Sequence, residues 1–418
     1  MTSNLLGITS ACEVVLQPFG AFLVNRKRNR FDVVNKTGTG LLLALNHPMS
    51  RGDAVQWGAN RGQQAGAVEA LLAALQERGY VGEPTPPPGP RISFVEHPSV
   101  LKATRADVEV TNRCNLKCVY CYAEVNRSKD ELSAEQWIEV LGGMYRHGLR
   151  AVLFSGGEPF LHRGFVRMLE WAAPRLVVEI NSNGTYITDQ IAARLAEFDI
   201  KQVQISMDSA TADYHDSVRG KGSHARALSA IRKLVAMGVP TQVSAVVTSA
   251  NRPLMADLAK LTVELGVRFK GDPVTRTGFA RDIPDQQWEQ DFAVSRDDRV
   301  ASPNPEAEIG FEPLCQSQVG YVAVSHQGIL KPCNMREQFF EATGGVLLHE
   351  AATKWWDGFY GSTRLAELAS TASTLDQGRA EELQRSESGY LCELQLAVAD
   401  KGHRRSPVPV KLSATRQR

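Results

Sequence analysis

Two periods of hydrophobic patterning alternate through the middle of this chain. Between residues 105 and 275, short apolar runs of strand length read ADVEVT (106–111), AVLFSG (151–156), VVEINS (177–182), QVQISMD (202–208), TQVSAVV (241–247) and VRFKGD (267–272). Between them, AEQWIEVLGGMYRHG, FVRMLEWAAPRL, DQIAARLAEFD, HARALSAIRKLVAMG and PLMADLAKLTVELG repeat apolar residues near a 3.6 period and predict helices. Strands alternating with helices predict βαβ units and a parallel sheet, closed or partly closed into a barrel. Six repeats are two short of an eightfold barrel. The expected centre is therefore a partial (β/α)6 barrel of α/β class over residues 105–300.

The flanks have another texture. In residues 1–85, GAFLVN and RFDVVN flank the basic turn RKRN as a hairpin would, and TGTGLLLALN, RGDAVQWGANRG and AGAVEALLAALQERGYV predict three helices. A hairpin with helices predicts a small winged-helix-like α+β domain. The stretch GEPTPPPGP (82–90) cannot continue a helix, because proline lacks an N–H and fixes φ, so residues 86–104 are expected to be a linker. Beyond about residue 300 the βα rhythm stops, and an irregular region with three cysteines predicts a further domain over 301–400. The basic terminus KGHRRSPVPVKLSATRQR (401–418) has little apolar periodicity and is expected to be a disordered tail.

A chain of 418 residues, 43% of them hydrophobic, can bury a sizeable core in two or three domains. Its formal net charge of +1 supplies no general attraction to nucleic acid or to an anionic membrane. No run approaches the ~20 apolar residues that span a bilayer, and MTSNLLGITSACEVVLQPFG lacks the basic-then-apolar order of a signal peptide. A cytoplasmic location is expected, with no membrane partner. There, seven cysteines argue for reduced thiols or metal ligands rather than disulfides.

Cysteine spacing decides between those two. Residues 114–121 read CNLKCVYC, a C-x3-C-x2-C triplet just after the first barrel strand, where parallel barrels carry their catalytic groups. Three cysteines on one loop can hold a cubane cluster while leaving one iron without a protein ligand. A structural zinc site is the competing reading, but such sites are closed by four ligands, and no histidine or fourth cysteine lies nearby in sequence. Later strand ends carry GGEP (156–159), NSNGT (181–185), Ser206 and Asp208 in QISMDS, and then Arg219 in SVRGKGS. Glycines there let backbone approach a ligand closely, although each motif alone also suits an ordinary turn.

The triplet CNLKCVYC resembles the signature loop of the radical S-adenosylmethionine (SAM) superfamily, including the aromatic Tyr120 before the last cysteine. The resemblance implies a TIM-like radical SAM barrel and a 4Fe-4S cluster held by Cys114, Cys118 and Cys121, with SAM on the open iron. It also implies reductive cleavage of SAM to methionine and a 5′-deoxyadenosyl radical that abstracts hydrogen from a substrate. By the same resemblance Gly156, Gly157, Glu158 and Pro159 meet SAM, Glu158 accepting from its amino group. Asn181, Ser182 and Asn183 resemble the polar segment near the methionine and ribose. Ser206 and Asp208 end the fourth strand, and Arg219 resembles the arginine that pairs with the SAM carboxylate. No residue is assigned a catalytic role beyond cofactor binding.

Cys315, Gly328 and Cys333, spaced C-x12-G-x4-C, are similar to the start of the auxiliary-cluster domain of the SPASM/twitch subfamily, and KWWDGFYGSTRLAEL to the helix that follows it. The full pattern has further cysteines that this chain lacks. The resemblance therefore implies a shortened, twitch-like domain with one auxiliary iron-sulfur cluster, a 4Fe-4S centre on Cys315, Cys333 and Cys392. Its remaining iron is left to Glu393, to His349 or to substrate, and structural thiols or a zinc clip are the alternative. Cys12 is expected to be a small buried hydrophobe.

The N-terminal domain resembles the PqqD-like peptide recognition element fused to maturases of ribosomally made peptides, with FDVVNKTGTGLLLALN as the matching core. That implies a leader peptide added as a strand to a sheet edge. Together the resemblances imply a maturase that takes a precursor peptide by its leader, draws electrons from a flavodoxin- or ferredoxin-type reductant, and makes a crosslink, an epimerisation or another oxidation. Two other readings stay open. One is a radical SAM enzyme acting on a small metabolite; the other is an iron-sulfur redox sensor whose wing residues Arg26, Lys27, Arg28 and Arg30 bind DNA phosphates. The near-neutral chain and the lack of a second basic cluster in the helices favour a peptide over DNA.

Overall fold

The computed structural model describes residues 5–17, 20–84, 91–93, 104–123, 125–126, 131–146 and 148–274, then 279, 283–284, 286–287, 290–291, 321–328 and 330–331. Cys315, Cys333 and Cys392, His349, Glu393 and the basic tail lie outside the described residues.

The N-terminal region is built on strands β1 (Leu5–Ile8), β2 (Cys12–Gln17), β3 (Gly20–Asn25) and β4 (Arg30–Asn35). Helix α1 (Lys36–Ala44), strand β5 (Met49–Ser50), helices α2 (Arg51–Ala59) and α3 (Ala65–Glu77), and strands β6 (Val81–Gly82) and β7 (Arg91–Ser93) follow. Asn35 caps α1 by accepting from Gly38 N at 2.8 Å, and Ser50 with Asp53 forms a capping box on α2, which fixes where each helix starts. The expected hairpin is β3 paired antiparallel with β4, from Gly20 opposite Asn35 to Asn25 opposite Arg30. Two partners were not expected: β2 pairs antiparallel with β3, and β7, from the segment read as linker, pairs in parallel with β2.

Every residue of β3 is buried because both faces of its sheet are covered. Ala21 and Leu23 pack with Leu41, Leu42, Leu72 and Tyr80 on the helix side, where Cys12 is also buried. Phe22 and Val24 point the other way and pack with Phe31, Ala151 and Val177, so the sheet rests directly on the second region. Polar contacts join the same surfaces. Glu13 pairs with Arg150 at 2.9 Å, Arg26 Nη2 donates to Ala173 O at 3.0 Å, and Asn29 Nδ2 donates to Asp199 O at 2.9 Å.

The second region alternates β8 (Arg105–Glu109), α4 (Ala134–Arg146), β9 (Ala151–Ser155), α5 (Phe165–Ala172), β10 (Val177–Ser182) and α6 (Asp189–Ala196). It continues with β11 (Gln202–Ser206), α7 (Ala212–Arg219), α8 (Ser223–Ala236), β12 (Thr241–Val247), α9 (Met255–Glu264) and β13 (Arg268–Pro273). These are the six expected strands, all parallel, in sequential order from β8 to β13. A seventh parallel strand, β14 (Tyr321–Val324), comes from the region assigned to the following domain and pairs with β8; β15 (Leu330–Lys331) then pairs antiparallel with β14. Its place follows from its pattern, since Val322 and Val324 enter the same apolar core as Val108, Phe154, Ile180 and Ile205.

Side chains on the opposite faces of these strands are mostly polar. Arg105 Nη1 lies 2.5 Å from Glu179, and Lys201 Nζ lies 3.1 Å from the same carboxylate. Burial alone would raise the Glu179 pKa, but the two cations override it and hold it at about 2. Among the described residues no helix is long and apolar enough to cross a membrane.

Candidate active site

The loop after β8 is held against the loop after β9 by two backbone bonds and by Arg113 Nη2, which donates to Leu161 O at 2.7 Å. Gly157 N donates to Thr111 O and Glu158 N to Arg113 O, each at 2.8 Å. The approach is close enough to require glycine: a Cβ on Gly156 would lie 2.4 Å from Thr111 O, and one on Gly157 2.2 Å from Arg113 O. Gly156 also has a φ of 126°, which side chains rarely adopt. Both glycines of GGEP thus let backbone approach backbone.

The cysteine loop then closes on itself. Cys114 N donates to Asn126 Oδ1 at 3.0 Å, and Asn126 Nδ2 returns a bond to Cys114 O at 2.9 Å. Cys114, Cys118 and Cys121 are free, partly buried thiols. Leu116 N lies 3.5 Å and Asn183 Nδ2 3.9 Å from Cys114 Sγ, and Arg219 Nη1 lies 3.9 Å from Cys118 Sγ. Burial pushes the Cys114 thiol up to about 11 and Cys121 up to about 12, and the other thiols of the triplet add to the rise.

Glu158 is fully buried and serves the chain itself. Its carboxylate accepts from Ser182 Oγ and Asn183 N, each at 2.8 Å, and from Phe160 N at 3.3 Å. Burial raises its pKa to about 7 in spite of these donors. The carboxylate that the resemblance has accept from the SAM amino group braces the end of β9 to the end of β10. Pro159, also buried, opens the short 3-10 turn Pro159–Leu161.

Asn183 extends the brace to the cysteine loop. Its Nδ2 donates to Asn115 Oδ1 at 3.0 Å, and Asn115 Nδ2 donates to Thr185 Oγ1 at 2.9 Å. Asn181 and Ser206 are partly buried, on the faces of β10 and β11 opposite Ile180 and Ile205 of the apolar core.

Asp208 is the buried hub. Arg219 grips it with Nε and with Nη2 at 3.1 Å, Tyr120 donates its hydroxyl to it, and Val246 N donates at 3.0 Å. Burial would raise the Asp208 pKa, but Arg219 and Tyr120 hold it below the usual carboxylate range. Arg219, which resembles the arginine that pairs with the SAM carboxylate, is the last residue of α7 and is paired with Asp208.

The structure thus brings Tyr120, Asp208 and Arg219 together around Cys118, and Glu158, Ser182 and Asn183 together beside Cys114. Several participants were absent from the sequence reading. Asn126 closes the loop at a φ of 64°, Asn251 Nδ2 donates to Asp208 O at 3.1 Å, and His215 Nδ1 accepts from Asp208 N at 3.2 Å. Burial lowers the His215 pKa to about 4, so the ring is neutral and able to accept. None of the three belongs to a recognisable spacing; polar residues near strand ends were the sole signal.

An α/β protein with parallel strands and three thiols beyond the carboxyl end of its first barrel strand has the layout of a barrel enzyme built around a cofactor. Residues 108–254 match the radical SAM superfamily, and the chain carries a radical SAM domain. That domain implies SAM and a 4Fe-4S cluster. The chain is similar to the mycofactocin maturase MftC of Mycobacterium ulcerans, 35% identical over 185 residues, which cover 44% of this chain and 49% of that protein. It is also similar to the sporulation killing factor maturation protein SkfB of Bacillus subtilis, 27% identical over 265 residues, 60% of this chain and 62% of that one. The chain spans about half the length of the mycofactocin maturases it matches. Its fold is shared with Streptococcus suis SuiB, solved bound to precursor peptide SuiA, at a TM-score of 0.57 and 15% identity, covering 92% of this chain and 94% of that one.

The chain's residues fit such a cluster. Among the described residues no three His, Cys, Asp or Glu side chains converge on a single metal ion. Cubane ligands bind different irons, and a triplet of separate free thiols supplied with N–H donors suits that arrangement.

Proposed function

We propose that this chain is a radical SAM maturase acting on a ribosomally synthesised precursor peptide. The observation that carries the proposal is the triplet of free, partly buried thiols, with N–H donors on Cys114 and Cys118, on the first strand-to-helix loop of a radical SAM domain. Cys114, Cys118 and Cys121 would each ligate one iron of the 4Fe-4S cluster. When bound, cluster and SAM would supply a 5′-deoxyadenosyl radical able to abstract hydrogen.

The chain's own contribution is position. Gly156 and Gly157 hold the second loop against the first, Glu158 ties it to the third, and Asp208 with Arg219 ties the fourth strand to Cys118. SAM would lie over this surface, lined by Tyr120, the Gly156–Pro159 segment, Asn181, Ser182, Asn183 and Ser206.

The N-terminal region would take the leader peptide as a PqqD-like element. Among the described residues β4 is an edge strand of its sheet, and β-augmentation there would satisfy its outward backbone groups. The DNA-sensor reading fits less well, because Arg26 and Asn29 at the wing tip are bonded to the barrel region. Residues 301–400 would form the twitch-like domain, joined to the barrel sheet through β14, with Cys315, Cys333 and Cys392 on an auxiliary cluster and a flavodoxin- or ferredoxin-type protein as reductant.

The test is to incubate the anaerobically reconstituted chain, SAM and dithionite with the short peptide encoded beside its gene. A SAM-dependent mass change in the peptide is expected. Deoxyadenosine formation with an unchanged peptide mass would move the substrate to a small metabolite.

A further inference from the structure

We propose that Arg219, locked in place by Asp208, donates to the sulfur of Cys118 and raises the reduction potential of the cluster the triplet would hold; this rests on the proposed function above. Donors to the three sulfurs are unequal. Cys114 Sγ receives neutral ones, Leu116 N at 3.5 Å and Asn183 Nδ2 at 3.9 Å, and Cys121 receives the backbone of Ala123. Among the described residues, Cys118 alone of the three has a cationic donor, Arg219 Nη1 at 3.9 Å.

That guanidinium has little freedom. Its Nε and Nη2 both grip the Asp208 carboxylate, and its Cζ lies 5.6 Å from the Tyr120 ring centroid. Asp208 is itself fully buried and held by Tyr120 and Val246 N. The remaining nitrogen, Nη1, is therefore aimed at Cys118. Cysteine sulfurs of an iron-sulfur cluster gain negative charge when the cluster is reduced, and N–H donors or cations beside them favour the reduced state. Burial weakens solvent screening and strengthens the effect. The carboxylate lies behind the guanidinium as seen from the sulfur, so the nearer positive end dominates. Arg219 is thus a positioning residue acting through Cys118, with Asp208 as its anchor.

The two partners of this one ion pair should act with opposite signs. Arg219→Met removes the cation and should lower the midpoint potential, with Arg219→Lys in between. Asp208→Asn removes the anion behind the cation and should raise it. A merely structural pair would disturb the loop alike whichever partner were lost. The experiment is a reductive titration of the reconstituted full chain, following by electron paramagnetic resonance the 4Fe-4S signal that SAM perturbs. Should a single variant not fold, Asp208→Asn/Arg219→Gln keeps a neutral hydrogen-bonded pair, and its midpoint should fall below that of the native chain. Unchanged midpoints, with or without loss of SAM affinity, would overturn the inference. No SAM-perturbed signal from the native chain would remove the proposed function itself.

Discussion

Gly157 constrains the site more tightly than any charged residue in it. A methyl group there would meet the Arg113 carbonyl at 2.2 Å, and a backbone oxygen cannot move aside as a flexible side chain can. Gly157→Ala is expected to push the two loops apart, cost about 1–3 kcal/mol in thermal unfolding, and lower the iron retained after reconstitution. Full iron content and an unchanged melting temperature would contradict this. Glu158 gives a pH signature. Its folded pKa of about 7 lies above the ordinary 4.5, so proton binding favours the folded state. That contribution is full below pH 4.5 and is lost as pH rises through 7, on the order of 3 kcal/mol in all. Glu158→Gln should flatten the fall in melting temperature across this window; an equal slope in both proteins would contradict the assignment. At this scale the sequence carried identities better than partners. The triplet, the glycines, Asp208 and Arg219 stand out by spacing and position, but that Glu158 and Arg219 turn inward depends on contacts between segments 24 and 11 residues apart.

Elements with a strong period were legible. The six strands β8 to β13 and the three N-terminal helices fall where apolar periodicity puts them, within a few residues. What was not legible depends on long-range pairing. CEVVLQ became β2 because β3 lies beside it, RIS became β7 because β2 offers an edge, and YVAV became β14 because β8 does. Helix α7 is short, and its ADYHDSVR sequence has too few apolar residues to announce a buried face. The hairpin β3–β4 shows most clearly how packing outweighs local pattern. Its basic turn reads as a wing, yet Phe22 and Val24 bury against Ala151 and Val177. Phe22 stacks on Phe31 at 5.1 Å between centroids, and Phe22→Ala is expected to cost about 3–5 kcal/mol. Because the joint is shared, calorimetry should record a loss in the barrel transition as well as in the N-terminal one. A barrel transition unmoved by this change would make the two regions independent.

At the scale of the whole molecule, the N-terminal sheet and the cysteine loop lie at opposite ends of the parallel strands. The sheet packs on Ala151 and Val177, the first residues of β9 and β10, whereas the cysteines follow the last residue of β8. Strands of five residues such as β8 and β9 span about 17 Å at ~3.3 Å per residue, and a peptide passing outside the helices must go further. A precursor bound by its leader at the sheet should therefore need a spacer of roughly ten residues before the modified position. Modification should fail as that spacer is shortened while leader affinity stays constant, a combination that separates reach from recognition; constant yield at every length would place the leader elsewhere. All of this presupposes that the triplet performs radical SAM chemistry, and one assay addresses that directly. The reconstituted native chain, given SAM and dithionite without air, should release 5′-deoxyadenosine, and the chain with Cys114, Cys118 and Cys121 all replaced by alanine should release none. Undiminished 5′-deoxyadenosine from the triple variant would contradict the account.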